Sequence, residues 1–151
     1  MSKETQDKYC YDYPRPAVTV DIALLRQESG RVEVLLIERG REPFKGRWAL
    51  PGGFVDKDES LDCAARRELE EETGITGVDT LTQVGAFGDP GRDPRGHTVS
   101  IVFAAWIEQP CEPRAADDAA EAAWRPVNQL PDLAFDHDLI IAAVLRTLPP
   151  S

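Results

Sequence analysis

Residues 60–73 hold the strongest helix formers of the chain, and they constrain its fold more than any other segment does. Gly74 follows them directly, at the position where a glycine commonly ends a helix in the left-handed conformation. The segment therefore predicts one helix with a defined end. The orientation of that helix decides which of its side chains reach the body of the protein together.

Acidic residues dominate this helix and the turn before it. The residues from Gly53 to Ile75 include eight acidic and three basic side chains, a net charge of −5 in a chain whose formal net charge is −10. At about 100° per residue, Glu68 and Glu72 lie on the face that carries the apolar stripe, and Glu71 lies on the same side. Three carboxylates are therefore expected to approach the protein together.

This carboxylate cluster has more than one interpretation. Burying like charges side by side is costly, and a hard cation such as Mg²⁺ or Mn²⁺, which prefers oxygen ligands, would remove the repulsion. A structural network of ion pairs with Arg66 and Arg67 is the alternative. A Glu-rich helix can also be no more than a solvated surface. The geometry favours a metal site and leaves the ion-pair network open.

The rest of the chain predicts a mixed sheet and a second helix. The expected strands span residues 18–24, 32–37, 80–87, 98–107 and 121–127. A turn at residues 28–30 would join the first two strands as a hairpin, and Asp136 is the expected N-cap of the last helix. Residues 1–16 form a polar N-terminal arm in this scheme, and residues 17–148 form a single domain. Its expected fold class is α+β, built as an α/β/α sandwich.

Composition and charge exclude several classes of partner. A chain of 151 residues suffices for one compact domain. Its 17 Lys and Arg residues against 27 Asp and Glu residues argue against binding a nucleic acid polymer or an anionic membrane. The N-terminus lacks the apolar core of a signal peptide. Three widely spaced cysteines form neither a disulfide framework nor a metal clip, so we expect a cytoplasmic protein.

The acidic segment resembles a known motif. The pattern Gly53–x5–Glu59–x7–Arg67–Glu68–Leu69–x–Glu71–Glu72–x–Gly74–Ile75 is similar to the Nudix box at every defined position, nine positions over 23 residues. The resemblance implies a Nudix fold, with a mixed β-sheet and a strand-loop-helix-loop box. It also implies cleavage of a nucleoside diphosphate linked to another group, with two or three Mg²⁺ or Mn²⁺ ions.

The resemblance also implies roles for individual residues. Glu68 and Glu72 would be the main metal ligands, with Glu71 as a further ligand or a group that orients the attacking water. The carbonyl oxygen of Gly52 would add a backbone ligand. The remaining box residues would have structural roles: Gly53, Glu59, Arg67 and Gly74.

A further acid outside the box is expected in the chemistry. Residues 117–124 resemble a recurring Nudix pattern, which makes Glu121 a candidate metal ligand or general base. Glu112 is the alternative. Both can equally be ordinary solvated loop acids.

Three outer segments bear on the substrate. Pro90 stands fifteen residues after Ile75, near a position that resembles the mark of the ADP-ribose pyrophosphatase branch. Residues 13–21, 88–96 and 135–137 are similar to segments of ADP-ribose hydrolases and of related regulators. The candidate substrate-binding residues are Tyr13, which would stack on adenine, and Arg39, Arg47, Arg92 and Arg95, which would bind phosphate or ribose oxygens. Turn formation and simple solvation are the alternatives for these loop residues.

Together these features lead to one expected activity and two alternatives. The expected reaction is the metal-dependent hydrolysis of ADP-ribose to AMP and ribose 5-phosphate, by a protein that can form a homodimer. One alternative is the hydrolysis of nucleoside triphosphates, such as oxidised guanine nucleotides. The other is a non-catalytic module that senses ADP-ribose, which the complete box disfavours.

Overall fold

The first two strands form the predicted hairpin. In the computed structural model, which describes residues 8–116 and 119–150, β1 runs over Ala17–Glu28 and β2 over Arg31–Arg39. They pair antiparallel from Leu25 opposite Val34 to Glu28 opposite Arg31. Both strands are longer than predicted, because backbone pairing with neighbouring strands continues beyond the apolar residues that predicted each strand.

Five more strands complete one mixed sheet. They are β3 (Trp48–Ala49), β4 (Gly52–Phe54), β5 (Thr82–Phe87), β6 (Thr98–Trp106) and β7 (Ala119–Pro126). The main order is β3-β2-β1-β6-β5, with β4 paired to β1 and β7 paired to β2. Only β1 and β6 are parallel among the named strands, and the other pairs are antiparallel.

Two helices cover the two faces of this sheet, so the expected α/β/α sandwich is confirmed. Helix α1 spans Leu61–Thr73 and helix α2 spans His137–Thr147. Val20, Ile22 and Leu24 pack in the cluster that contains the apolar side of α1. The intervening Ala23, with Leu25, packs in the cluster that contains α2. Successive side chains of β1 thus serve opposite layers, as a central strand requires.

The ends of α1 follow the sequence signals. The Ser60 hydroxyl accepts a hydrogen bond from the Cys63 amide at 3.2 Å, which caps the N-terminus. Gly74 has a φ of 74°, and its N–H donates to the Glu70 carbonyl at 2.8 Å. At the start of α2, Asp136 does occupy the N-cap position, but its side chain makes no capping bond. Its carboxylate is bound by Arg92 instead.

Two short strands and several boundaries differ from the sequence-based expectation. The predicted strands do not include residues 48–49 or 52–54, where β3 and β4 form because β2 and β1 offer free edges there. Part of the predicted arm, residues 1–7, and residues 117–118 of the segment 117–124 lie outside the described residues. No helix in the described part of the chain is long and apolar enough to cross a membrane.

Candidate active site

A cavity of about 410 Å³ opens where the C-terminal half of α1 meets β4 and three loops. One side is acidic and carries Asp21, Glu68 and Glu72, beside the backbone of Gly52 and Gly53. The other side is formed by residues from the segments 39–42, 92–95 and 135–137 and carries several arginines. We call this cavity, with its acidic and basic sides, the pocket.

Glu72 is the most strongly perturbed carboxyl group of the pocket. Burial and, to a smaller extent, the nearby charges of Glu68 and Asp21 raise its pKa to about 8, against a hydrogen bond from the Gly52 N–H at 3.2 Å and the charge of Arg39. Burial also raises the pKa of Glu68. The acidic side therefore disfavours the charged form of these two carboxylates when no cation is bound.

Arg67 organises the carboxylates around it. Its guanidinium binds both oxygens of Glu59, at 2.7 and 2.8 Å, and donates to Glu68 Oε1 at 2.9 Å and Glu71 Oε2 at 3.1 Å. A further bond at 3.1 Å reaches the Phe54 carbonyl. Hydrogen bonds from Arg67 and from the Asp56 N–H lower the pKa of Glu59 to about 2. The network ties the loop before α1 to the acidic side chains of the helix.

Arg66 takes no part in this arrangement. Its Nε donates to Asp62 at 2.9 Å, and its other nitrogens donate to the carbonyls of Val78 and Asp79. Of the two arginines in the proposed ion-pair network, only Arg67 contacts the carboxylates of the pocket. The metal-site and ion-pair interpretations of the acidic cluster therefore coexist, because Arg67 binds Glu68, whereas Glu72 accepts its hydrogen bond from the Gly52 N–H.

The two glycines before the box helix lie too close to the carboxylates for any side chain. A Cβ on Gly53 would lie 2.5 Å from Glu68 Oε1. A Cβ on Gly52 would collide with the Val20 carbonyl and with Asp21 Oδ1. Close approach of backbone to carboxylate thus explains both glycines.

The donor set of the acidic side suits a hard divalent cation. Glu68, Glu72 and the Gly52 carbonyl offer only oxygen, which Mg²⁺ and Mn²⁺ prefer, and the raised pKa of Glu72 marks charge that a cation would stabilise. Over residues 8–116 and 119–150, no three His, Cys, Asp or Glu side chains already converge as a ligand cage. The bonds of Arg67 to Glu68 and Glu71 account for part of this, since they draw those two carboxylates towards the guanidinium.

The arginines of the basic side differ in the groups that accept their hydrogen bonds. Arg92 donates two hydrogen bonds, at 2.9 and 2.6 Å, to the Asp136 carboxylate. Arg95 donates two, at 3.1 and 2.8 Å, to the buried Asp93. Arg39 donates from Nε to the Pro43 carbonyl at 2.6 Å, and no carboxylate of the described residues forms an ion pair with it. Burial and the charge of Arg95 lower its pKa.

Four of the candidate catalytic, metal-binding and substrate-binding residues lie outside the lining of the pocket: Tyr13, Arg47, Glu71 and Glu121. Tyr13 is 61% exposed and its hydroxyl accepts a hydrogen bond from Arg15. The Arg47 guanidinium lies 5.5 Å from the ring centre of Phe44. Glu121 is exposed on β7, opposite Glu38 of β2. The alternative acid Glu112 is also exposed and lies 3.8 Å from Arg26. Their roles in binding and catalysis stay predictions.

The fold brings to the pocket several residues that the sequence analysis named only as parts of the segments 13–21 and 135–137, not as site residues. Asp21 is buried and accepts a hydrogen bond from the Ser100 hydroxyl. His137 accepts the Leu50 N–H at Nδ1, at 3.0 Å, and its Nε2 lies 3.6 Å from Asp21 Oδ1. Phe135 lies beside them. One signal was available, since Asp21 interrupts an otherwise apolar buried strand.

Comparison with known proteins identifies similar sequences and folds. The sequence profile of the NUDIX domain matches residues 15–147. An ADP-ribose pyrophosphatase of Methanocaldococcus jannaschii is 46% identical over 89% of this chain and 76% of that protein. The ADPR responsive transcriptional repressor NtrR of Acinetobacter baylyi is 41% identical over 89% of this chain, which spans 56% of the repressor.

A solved structure shares the same fold. The NUDIX domain of Shewanella oneidensis NrtR, complexed with ADP ribose, superimposes with a TM-score of 0.82. It is 33% identical, and the match covers 91% of this chain and 94% of that domain. The likeness extends over the box, the sheet and both helices rather than over the motif alone.

Proposed function

The chain belongs to the NUDIX family, and we propose that it hydrolyses the pyrophosphate bond of ADP-ribose to give AMP and ribose 5-phosphate. The observation that carries this proposal is the polarity of the pocket. Half-buried carboxylates, Glu68 and Glu72, line the same cavity as the Arg39 guanidinium, which forms no ion pair with a carboxylate of the described residues. A diphosphate bound together with divalent cations would complement both sides. The 46% identical pyrophosphatase supports ADP-ribose as the substrate.

The residues of the acidic side would hold the cation. When bound, a divalent cation neutralises phosphate charge and lowers the pKa of a coordinated water. Glu68, Glu72 and the Gly52 carbonyl are the proposed ligands. Arg67 keeps Glu68 oriented through its bond at 2.9 Å, and Glu59 in turn holds Arg67. Mg²⁺ or Mn²⁺, in two or three copies, is our proposal for the ions.

The proton acceptor of the reaction is proposed among the acids that do not line the pocket. Arg67 donates a hydrogen bond to the Glu71 carboxylate at 3.1 Å. Because this bond restrains the side chain, Glu71 suits the role of a carboxylate that orients a water. Glu121 is exposed on β7 and does not line the pocket. As the general base it would reach the attacking water from outside the pocket. We retain both residues as candidates for the general base.

A substrate panel tests the activity. Purified protein with Mg²⁺ is assayed against ADP-ribose, other nucleoside diphosphate derivatives, and triphosphates that include oxidised guanine nucleotides. We expect the highest kcat/KM for ADP-ribose, with AMP and ribose 5-phosphate as products. Glu72→Gln should reduce kcat/KM by more than the roughly 10–100-fold loss that follows removal of an outer-shell partner. Glu70→Gln is the matched control, because Glu70 is an exposed acid of the same helix turn.

The same panel separates the alternatives. A preference for triphosphates would replace the ADP-ribose assignment. Binding of ADP-ribose without turnover would instead favour a sensing module, in line with the similarity to the NtrR repressor. Full activity of Glu72→Gln would overturn the metal-ligand assignment. The complete box supports an enzyme over a sensor.

The remaining sequence-based proposals concern partners and location. The net charge of −10 supports a small nucleotide rather than a nucleic acid polymer or a membrane as partner. The scattered cysteines support a cytoplasmic setting. A homodimer is proposed from the resemblance to similar hydrolases, and light scattering of the purified protein tests it.

A further inference from the structure

The ring of Phe135 lies close to two guanidinium groups on the basic side of the pocket. The Arg39 guanidinium carbon is 5.0 Å from the ring centre, and that of Arg95 is 5.5 Å from it. Arg95 also lies 4.8 Å from the ring centre of Phe54. A cation is attracted to the face of an aromatic ring, and more strongly where water is excluded. The ring therefore restrains two long side chains that would otherwise have much rotamer freedom.

The backbone at Phe135 is held in a conformation that favours glycine. Its φ is 52°, in the left-handed region that bulky residues avoid. Contacts on both sides enforce it: the Ala134 N–H donates to the Trp48 carbonyl at 2.8 Å, and Arg92 clamps Asp136. A strained residue whose surroundings over-determine it is typical of functional sites. Here the strain places the ring in the pocket.

Charge compensation distinguishes the two arginines that the ring contacts. Arg95 is neutralised by Asp93, whereas Arg39 has only the Pro43 carbonyl as hydrogen-bond acceptor among the described residues. Arg39 is also half-buried, and the carboxylates of Glu72, Asp93 and Asp21 act on its charge without forming an ion pair with it. Arg39 is thus the cation of the pocket best suited to bind an added anion.

We propose that Phe135 is a positioning residue whose ring holds the guanidinium groups of Arg39 and Arg95. The ring thereby places Arg39 to bind the substrate phosphate that the acidic side does not bind. This inference rests on the proposed function, since it assigns one part of a diphosphate to the basic side. The ligand chemistry is a phosphoryl group, recognised by a planar guanidinium. The ring touches the arginines, so its effect on the substrate is exerted through them.

Three variants test the role of the ring. Phe135→Leu removes the ring but keeps a large apolar side chain with similar backbone strain, and Phe135→Tyr retains the ring. Phe87→Leu, a partly buried phenylalanine of the sheet outside the pocket, is the matched control. We expect Phe135→Leu to raise the KM for ADP-ribose by roughly tenfold, as loss of about 1–2 kcal/mol implies. We expect kcat to change little, and Phe135→Tyr and Phe87→Leu to resemble wild type.

A binding measurement without metal separates this effect from the acidic side. Calorimetric titration of ADP-ribose in the presence of EDTA should show weaker binding for Phe135→Leu than for wild type. In an Arg39→Gln background, Phe135→Leu should add little further loss, because the ring acts through that arginine. If Phe135→Leu does not fold, Arg39→Gln alone must raise the KM to a similar extent.

The outcomes also distinguish this inference from the proposed function. If wild-type protein hydrolyses ADP-ribose and the KM is unchanged in Phe135→Leu or in Arg39→Gln, the inference is overturned and the proposed function stands. A fall in kcat without a change in KM or in metal-free affinity overturns it as well. A third outcome is that wild-type protein does not hydrolyse ADP-ribose, while Phe135→Leu still binds ADP-ribose more weakly than wild type does. That outcome supports the phosphate subsite and rejects the enzymatic assignment.

Discussion

At the scale of single residues, the position of the Glu68 carboxylate depends on what surrounds it on two sides. Arg67 holds Oε1 at 2.9 Å, and the bare backbone of Gly53 lies against the same carboxylate. The Arg67 bond orients the group, and the absence of a side chain on Gly53 leaves room for it. A proposed metal ligand is therefore placed by its neighbours as much as by its own helix.

Gly53→Ala tests this placement. The added Cβ would lie 2.5 Å from Glu68 Oε1, closer than real contacts allow, so the carboxylate must move. We expect kcat/KM to fall by at least about tenfold, since small misplacements at a reacting centre are costly. Steady-state kinetics at several Mg²⁺ concentrations measures the loss, and part of it should be recovered at high Mg²⁺.

Gly85→Ala is the control for that substitution. A Cβ at Gly85 meets nothing within 4 Å, and this glycine lies in β5, outside the pocket. Its kinetics should match wild type. Equal activity of both alanine variants would show that Glu68 does not need its present position.

Residues of the box could be recognised from the sequence, whereas their partners from other elements could not. Glu59, Arg67 and Glu68 lie within ten positions of one another, so helix periodicity already relates them. Asp21 and His137 are more than a hundred positions apart and meet only because β1 and α2 pack together. No local pattern predicts such a contact. Arg92 illustrates the limit, because a loop arginine that suits phosphate is bound to Asp136 instead.

At the scale of elements, α1 is the best-determined part of the fold because its signals are local. Gly74 ends it as predicted, and Ser60, which precedes its first residue, caps its start with a side-chain hydrogen bond. The strands β3 and β4 were missed because segments of two and three residues have no periodicity of their own. Their existence depends on the edges that β1 and β2 present to them.

Gly74→Ala tests the contribution of the C-cap. An alanine must adopt a φ near 74°, where its Cβ crowds the following carbonyl, so we expect a loss of about 1 kcal/mol in the free energy of unfolding. Gly74→Asn should lose less, because asparagine tolerates the left-handed region better. Urea unfolding followed by circular dichroism measures both. Equal stability of wild type and the alanine variant would contradict the role of this cap.

At the scale of the whole molecule, the uneven distribution of charge matters more than its sum. Half of the net charge lies between Gly53 and Ile75, and the pocket exposes part of it opposite arginines. A net charge of −10 opposes polyanions that lie across the surface. It does not oppose a small diphosphate that enters with cations, because the local field of the pocket then differs from that of the whole chain.

Stability against pH tests this local field in the metal-free protein. The pKa of Glu72 is about 8 in the folded state and near 4.5 in the unfolded chain. The folded protein therefore retains a proton that the unfolded chain releases, and the resulting stability is present below about pH 4.5 and lost as the pH rises through about 8. In EDTA, the Tm of wild type should fall over this window more steeply than that of Glu72→Gln.

The comparison with Glu70→Gln isolates the buried site from general charge repulsion. Both variants remove one formal negative charge, but Glu70 is exposed. Glu70→Gln should therefore follow the wild-type slope, while Glu72→Gln gains Tm relative to wild type more at pH 8 than at pH 5. Mg²⁺ should raise the Tm of wild type at pH 8 more than that of Glu72→Gln, because binding to the folded state alone stabilises it. If the Tm difference between Glu72→Gln and wild type is the same at pH 5 and pH 8, Glu72 ionises as an ordinary surface carboxylate. The acidic side of the pocket would then not disfavour its charged form.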